Sequence, residues 1–144
     1  MVGLSIATFL AITAAPYFAD YTKNSRLREG GNLLYSEALA AQSEALKRNN
    51  VVRLSTNGAT IQIIDRSVPA TPVVLRERTL SGGLSAETAT VDFGSEGLPS
   101  PFGTSASINL SMSGVTCSSD YRCPGLRVDG GGAIRLCGDQ TGTC

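Results

Sequence analysis

The chain has 144 residues, with Lys+Arg and Asp+Glu both totalling 12, and neither His nor Trp. That length holds one modest domain, alone or with an anchor, and the charge balance gives no global pull toward nucleic acid. With His absent and no Ser-x-x-Lys spacing there is no nucleophile–base pair, so the expectation is a non-enzyme: no catalytic residue, no cofactor, no metal site and no small-molecule substrate.

The opening stretch MVGLSIATFLAITAAPYFAD carries no charge before Asp20. A secretory signal needs a basic start, and Met1 to Phe9 has none; Ala14-Ala15 mimics a cleavage site, but Pro16 follows at once. As a helix, the run through Ala19 spans roughly 28 Å at about 1.5 Å per residue, close to one bilayer core. Ser5, Thr8 and Thr13 can bond back to the preceding turn, and membrane helices tolerate a proline such as Pro16. Residues 1–19 are therefore expected to be a transmembrane segment rather than a buried soluble helix.

Residues 20–50 continue the helix without a break. Leu27, Gly31, Leu34, Ala38, Ala41 and Ala45 recur at the spacing of one face, widened by Leu39 and Leu46, with Tyr35 close by. Ser36, Glu37, Gln42, Glu44 and Lys47 fill the remaining surface, and Glu44 stands four before Arg48 as a supporting pair. The stripe is made of small residues, so its partner must approach closely. Gly30-Gly31 reads as a soft point, costing about 1 kcal/mol per Gly against Ala, and Asn49-Asn50 as the end signal.

From residue 51 to 144 the pattern changes to alternation. VVRLSTNGATIQII is two strands around Asn57-Gly58, a strong hairpin signal. Val73–Arg76, Thr88–Phe93, Ile108–Met112, Leu126–Val128 and Ala133–Leu136 are further strand candidates, with SEGLPSPFG as a loop. A sheet of about six or seven antiparallel strands needs a cover on its apolar face, and the amphipathic helix supplies one. The expected class is α+β: a long N-terminal helix, apolar in its first third, packed on an antiparallel sheet with a disulfide-stapled C-terminal region.

The stapling comes from Cys117, Cys123, Cys137 and Cys144, an even set clustered in the last quarter. Pairs 117–123 and 137–144 would each close a short loop, stabilising by roughly 2–3 kcal/mol; a 117–137 bridge between neighbouring strands is the rival. Zinc would require closer pairs. Arg122, Arg127 and Arg135 form a candidate basic patch for phosphates, but Asp120, Asp129 and Asp139 are interleaved with them. Gly130–Gly132 lacks the Lys-Ser/Thr of a phosphate loop and reads as a turn. Arg26, Arg28 and Glu29, where the helix leaves the membrane, suit either a solvated face or pairing with a neighbour.

An apolar helix continuing into an amphipathic one, then a sheet with a Cys-stapled end, resembles the type IV pilin-like proteins. MVGLSIATFLAITAAPYFADY looks like that family's N-terminal helix lacking its first six residues, an offset that puts Pro16 on the family's kink proline. RLREGGNLLYSEALAAQSEALKRNNVVRL is similar to the segment ending Ser-Glu-Ala-Ile-Lys-Arg-Asn in the H-type minor pilins and pseudopilins of the FimT, FimU and GspH group. VDFGSEGLPSPFGTSASINL and LRVDGGGAIRLC are similar to that group's late strands.

The resemblance implies a structural subunit of the tip or priming complex of a type IV pilus or type II secretion pseudopilus. It would be anchored once in a bacterial inner membrane with a periplasmic head, and assembled through Leu4, Phe9, Leu10, Ile12 and Pro16. Its partners would be membrane lipid and then other pilin or pseudopilin subunits. The alternative is a competence-type member that binds DNA through its C-terminal arginines, although Ala133 stands where the Gly-Arg-x-Arg loop of such members has its first arginine. The family's Phe-Thr-Leu-Ile-Glu-Leu start would lie just before Met1, and neither its glutamate nor the glycine-ended leader is present; either the sequence is clipped or starts late, or the protein is not processed in the family's usual way. Outside the family, an unrelated membrane-anchored binding module would lack one continuous helix from anchor to Arg48.

Overall fold

A computed structural model of the chain describes the backbone of residues 2–142 and the side chains of residues 18–142. One helix, α1 (Val2–Arg48), is followed by seven strands: β1 (Val52–Gly58), β2 (Thr60–Asp65), β3 (Val73–Thr79), β4 (Leu84–Phe93), β5 (Ala106–Met112), β6 (Gly125–Val128) and β7 (Ile134–Cys137). The strands form one antiparallel sheet in the order β3-β2-β1-β4-β5-β6-β7. The α+β expectation holds: α1 packs on β1, β2, β4, β5, β6 and β7.

The alternation read from the sequence becomes the burial pattern. Val52, Leu54 and Thr56 of β1, Ile61 and Ile63 of β2, Ile108 and Leu110 of β5, and Leu126 and Val128 of β6 point under the helix and are buried. Against them α1 sets Leu27, Leu34, Ala38, Ala41 and Ala45, all fully buried. Each leucine removed from water contributes about 1.5–3 kcal/mol, while the alanines let the helix lie close to the sheet. Thr56, polar at a core position, donates its hydroxyl proton to Glu87 O at 2.6 Å, so its burial leaves no unpaired group.

Gly30 and Gly31 are a point of close approach, which corrects their reading as a soft spot. A methyl group on Gly31 would lie 2.8 Å from the Pro124 ring, and one on Gly30 would lie 2.7 Å from Leu84 Cδ1. The helix stops as Asn49-Asn50 indicated. Asn49 takes a left-handed φ of 51°, its N–H reaches Leu46 O at 3.4 Å, and the Asn50 N–H reaches Ala45 O at 3.2 Å. These are the paired bonds that satisfy the last carbonyls of a helix.

Two polar and two apolar positions on the helix behave differently from their sequence reading. Glu37, expected on the surface, is buried, with Oε1 at 3.6 Å from Arg76 and 3.5 Å from Arg78 on edge strand β3. The two arginines oppose Ile63 and Ile61 across the β2–β3 ladder, so they point inward, where an edge strand gains protection from pairing with other chains. Gln42 also turns inward, donating from Nε2 to Gly97 O at 2.7 Å and Gly132 O at 3.0 Å. It ties the β4–β5 loop to the β6–β7 turn. Leu39 and Leu46, placed on the flank of the buried stripe by the sequence, are instead exposed.

Candidate functional site

The helix is longer than the sheet that covers it. Leu27 is its first buried residue in the described part, and before it two aromatic rings face outward, Phe18 at 73% and Tyr21 at 72% exposure. From there an open face runs up the helix through Ser25, Asn32, Ser36 and Leu39, opposite the buried stripe. Two aromatic rings followed by Ser25, Asn32, Ser36 and Leu39, with exposed Arg28 and Glu29 between them, form an uncovered helix face along which another helix could lie.

The exit of the helix is built against one loop. Cys117 and Cys123 are bonded to each other, which settles the pairing in favour of the short loop and against the 117–137 rival. Cys137 is disulfide-bonded as well; Cys144 lies outside the described residues. Inside the closed loop, Ser118 N–H reaches Tyr121 O at 3.1 Å and Asp120 N–H reaches Ser118 Oγ at 3.3 Å. Buried Cys123 and the bond from Gln140 N–H to Cys123 O at 2.7 Å seat the loop on the sheet.

Four helix–loop hydrogen bonds follow. Tyr121 donates its hydroxyl proton to Asp20 Oδ1 at 2.5 Å, and Lys23 Nζ reaches the same hydroxyl at 3.5 Å while lying 5.2 Å from the ring centroid. Asn24 bonds in both directions, from Nδ2 to Asp120 O at 3.0 Å and from Oδ1 to the Arg122 N–H at 3.3 Å. On the other side, Arg26 lies along Gly82 of the β3–β4 turn, where a Cβ would meet its Cδ at 3.1 Å. None of Asp20, Lys23, Asn24 and Tyr121 stood out in the sequence. The cysteine spacing signalled a closed loop, but nothing local indicated which part of the helix it would touch.

The three candidate arginines do not form one patch. Arg127 and Arg135 are direct cross-strand partners on β6 and β7, whereas Arg122 belongs to the disulfide loop at the helix exit. Both strand arginines are engaged within the protein. Arg127 Nη1 donates to Asn109 Oδ1 at 2.9 Å and to Leu126 O at 3.0 Å; its guanidinium lies over Gly125, where a Cβ would come within 2.7 Å of Nη1. Arg135 is paired with Asp129. Asn109 in turn donates to Glu87 Oε2 at 3.1 Å, so a polar chain runs across the outer face of the sheet with its charges largely matched.

The proposed assembly residues Leu4, Phe9, Leu10, Ile12 and Pro16 lie outside the described side chains. Among the described residues no helix is long and apolar enough to cross a membrane, and no three His, Cys, Asp or Glu side chains gather as a metal-binding group.

Comparison with known proteins agrees with this architecture. The family model described as "Type II transport protein GspH" matches residues 31–142. The type IV minor pilin FimU of Pseudomonas aeruginosa superposes with a TM-score of 0.62 at 19% identity, covering 81% of this chain and 91% of that one. The minor pseudopilin EpsH of the Vibrio cholerae type 2 secretion system superposes with a TM-score of 0.57 at 16% identity, covering 78% and 96%. No curated protein matches the sequence.

Proposed function

Because this chain belongs to the type II transport protein GspH family, the minor pilins and pseudopilins, we propose that it is a structural subunit working by packing rather than catalysis in the tip or priming complex of a pilus or secretion pseudopilus. Residues 1–19 would be held in the inner membrane before assembly and in the filament core after it. Residues 20–50 would carry the helix into the periplasm, and residues 51–144 would form the head that selects neighbouring subunits. The observation that carries this reading is the helix that outruns its own sheet, with Phe18 and Tyr21 exposed where the chain leaves the head. Moving an apolar helix from lipid to protein gains little hydrophobic energy, so close van der Waals contact has to favour assembly. The small and apolar residues around Leu4, Phe9, Leu10, Ile12 and Pro16 suit that contact.

Leu10→Asp tests the reading in cells that carry the filament. A carboxylate in the apolar run costs about 2.5–3.5 kcal/mol at the centre of a membrane helix, and filament recovery in the sheared surface fraction should fall sharply while the head still folds. Undiminished assembly refutes the proposal. DNA binding is the second reading, and the cross-strand placement of Arg127 beside Arg135 is what favours it. It has less support, because Asp129 and Asn109 already occupy those guanidinium groups.

A further inference from the structure

We propose that the loop closed by Cys117–Cys123 is a collar that fixes the direction in which the helix leaves the head, with Asp20, Lys23, Asn24 and Tyr121 as its positioning residues. The helix loses contact with the sheet core below Leu27. Among the described residues, every hydrogen bond from the side chains of Asp20, Lys23 and Asn24 to the head ends on residues 120–122. The loop extends the rigid body of the head by almost two helical turns beyond its apolar core.

Its contacts constrain position in complementary ways. Asn24 grips main-chain groups on either side of Tyr121, one as donor and one as acceptor, so a helix rotated about its axis or shifted by one residue loses both bonds. Tyr121 reaches past it to Asp20, one turn nearer the exit, and Lys23 covers the ring. Such a two-turn grip sets an angle, whereas a single contact would leave a pivot. The loop can act in this way because it is closed. An open seven-residue segment would have to lose its own conformational freedom in order to hold the helix, while the bridged loop is already ordered by its bonds from Ser118 and Gln140.

The collar is independent of assembly as a structural claim. That its angle matters for subunit packing rests on the function proposed above. Hydrogen exchange of the full chain in detergent micelles tests the structural claim. In Cys117→Ser/Cys123→Ser, amides of residues 20–26 and 117–123 should exchange about tenfold faster while those of β1 and β4 keep their protection. Asn24→Ala/Tyr121→Phe, which leaves the bridge intact, should speed residues 20–26 about threefold to tenfold with the melting temperature of the head unchanged. If the cysteine variant loses protection everywhere, the second variant decides. Unchanged exchange at residues 20–26 in the second variant overturns the collar. Faster exchange there with normal filament recovery keeps the collar and removes only its role in assembly.

Discussion

Gly31→Ala puts the helix–sheet contact to a quantitative test. An added methyl would sit 2.8 Å from both Cβ and Cγ of Pro124 and 3.4 Å from Leu136 Cδ1, against an ordinary carbon–carbon separation of about 3.5–4.0 Å. The Pro124 ring cannot rotate away, because it is closed onto its own backbone, so the helix or the segment leading into β6 must move. Overpacking of this kind costs about 1–3 kcal/mol, while replacing a helical glycine by alanine returns about 1 kcal/mol. The net expectation is a loss of about 1 kcal/mol or somewhat more, lowering the melting temperature by about 3–6 °C for a chain of this size. Gly30→Ala is the internal control. Its nearest neighbour at 2.7 Å is Leu84 Cδ1, the end of a side chain that can change rotamer, so strain and propensity should nearly cancel. Thermal unfolding followed by circular dichroism in detergent reads both variants. A Gly31→Ala protein that melts at or above the parent temperature refutes close packing at this point, and the soft-spot reading would return.

The helix terminus should respond to backbone conformation alone. Asn49→Ala costs about 1 kcal/mol because alanine gains nothing in the left-handed region, while Asn49→Gly is neutral or stabilising; equal melting temperatures for the two variants would contradict the assignment. Asp65 is held below its ordinary carboxylate value first by the Ser67 backbone N–H at 2.8 Å, then by the Ser67 side chain, with Arg48 adding to it. A depressed carboxylate contributes stability above its unfolded value of 3.8 and loses it as pH falls through the folded value. Asp65→Asn should therefore flatten the decline in stability from about pH 4 downward and leave its slope near neutrality unchanged; an unaltered acid limb argues against the contact. For DNA, a gel-shift titration at low and moderate salt is expected to show little binding and little change with Arg135→Ala, since Asp129 already neutralises that guanidinium. Tight binding that Arg135→Ala abolishes would instead favour the DNA reading.

Much of the architecture was present in local pattern. Helical spacing from Leu27 to Ala45, period-two alternation from Val52 onward, the hairpin signal at Asn57-Gly58 (the turn itself falls one residue later, at Gly58-Ala59, with Asn57 paired to Thr60) and the Asn49-Asn50 stop all depend on residues a few positions apart. Seven strands and one helix follow from them with small shifts at the ends, β4 beginning at Leu84 rather than Thr88 and β7 at Ile134 rather than Ala133. The cysteine cluster likewise announced its stapling, and the shortest loop among its possible pairings, 117–123, does form.

What pattern could not supply are contacts between segments far apart in the chain. Glu37 looks like any solvated helix carboxylate until β3 places Arg76 and Arg78 over it, and Gln42 until two loops bring carbonyls from residues 97 and 132 to its amide. Asn24 and Tyr121 stand 97 positions apart, and neither is unusual in its own neighbourhood. The sequence by itself determined the element types and the buried helix face, because side-chain periodicity and turn chemistry act locally. Only the tertiary structure decided that two glycines are a packing contact, that Arg127 and Arg135 are already engaged within the sheet, and that one small loop holds the helix at its exit. Those outcomes depend on which surfaces the fold brings within a few ångströms of each other.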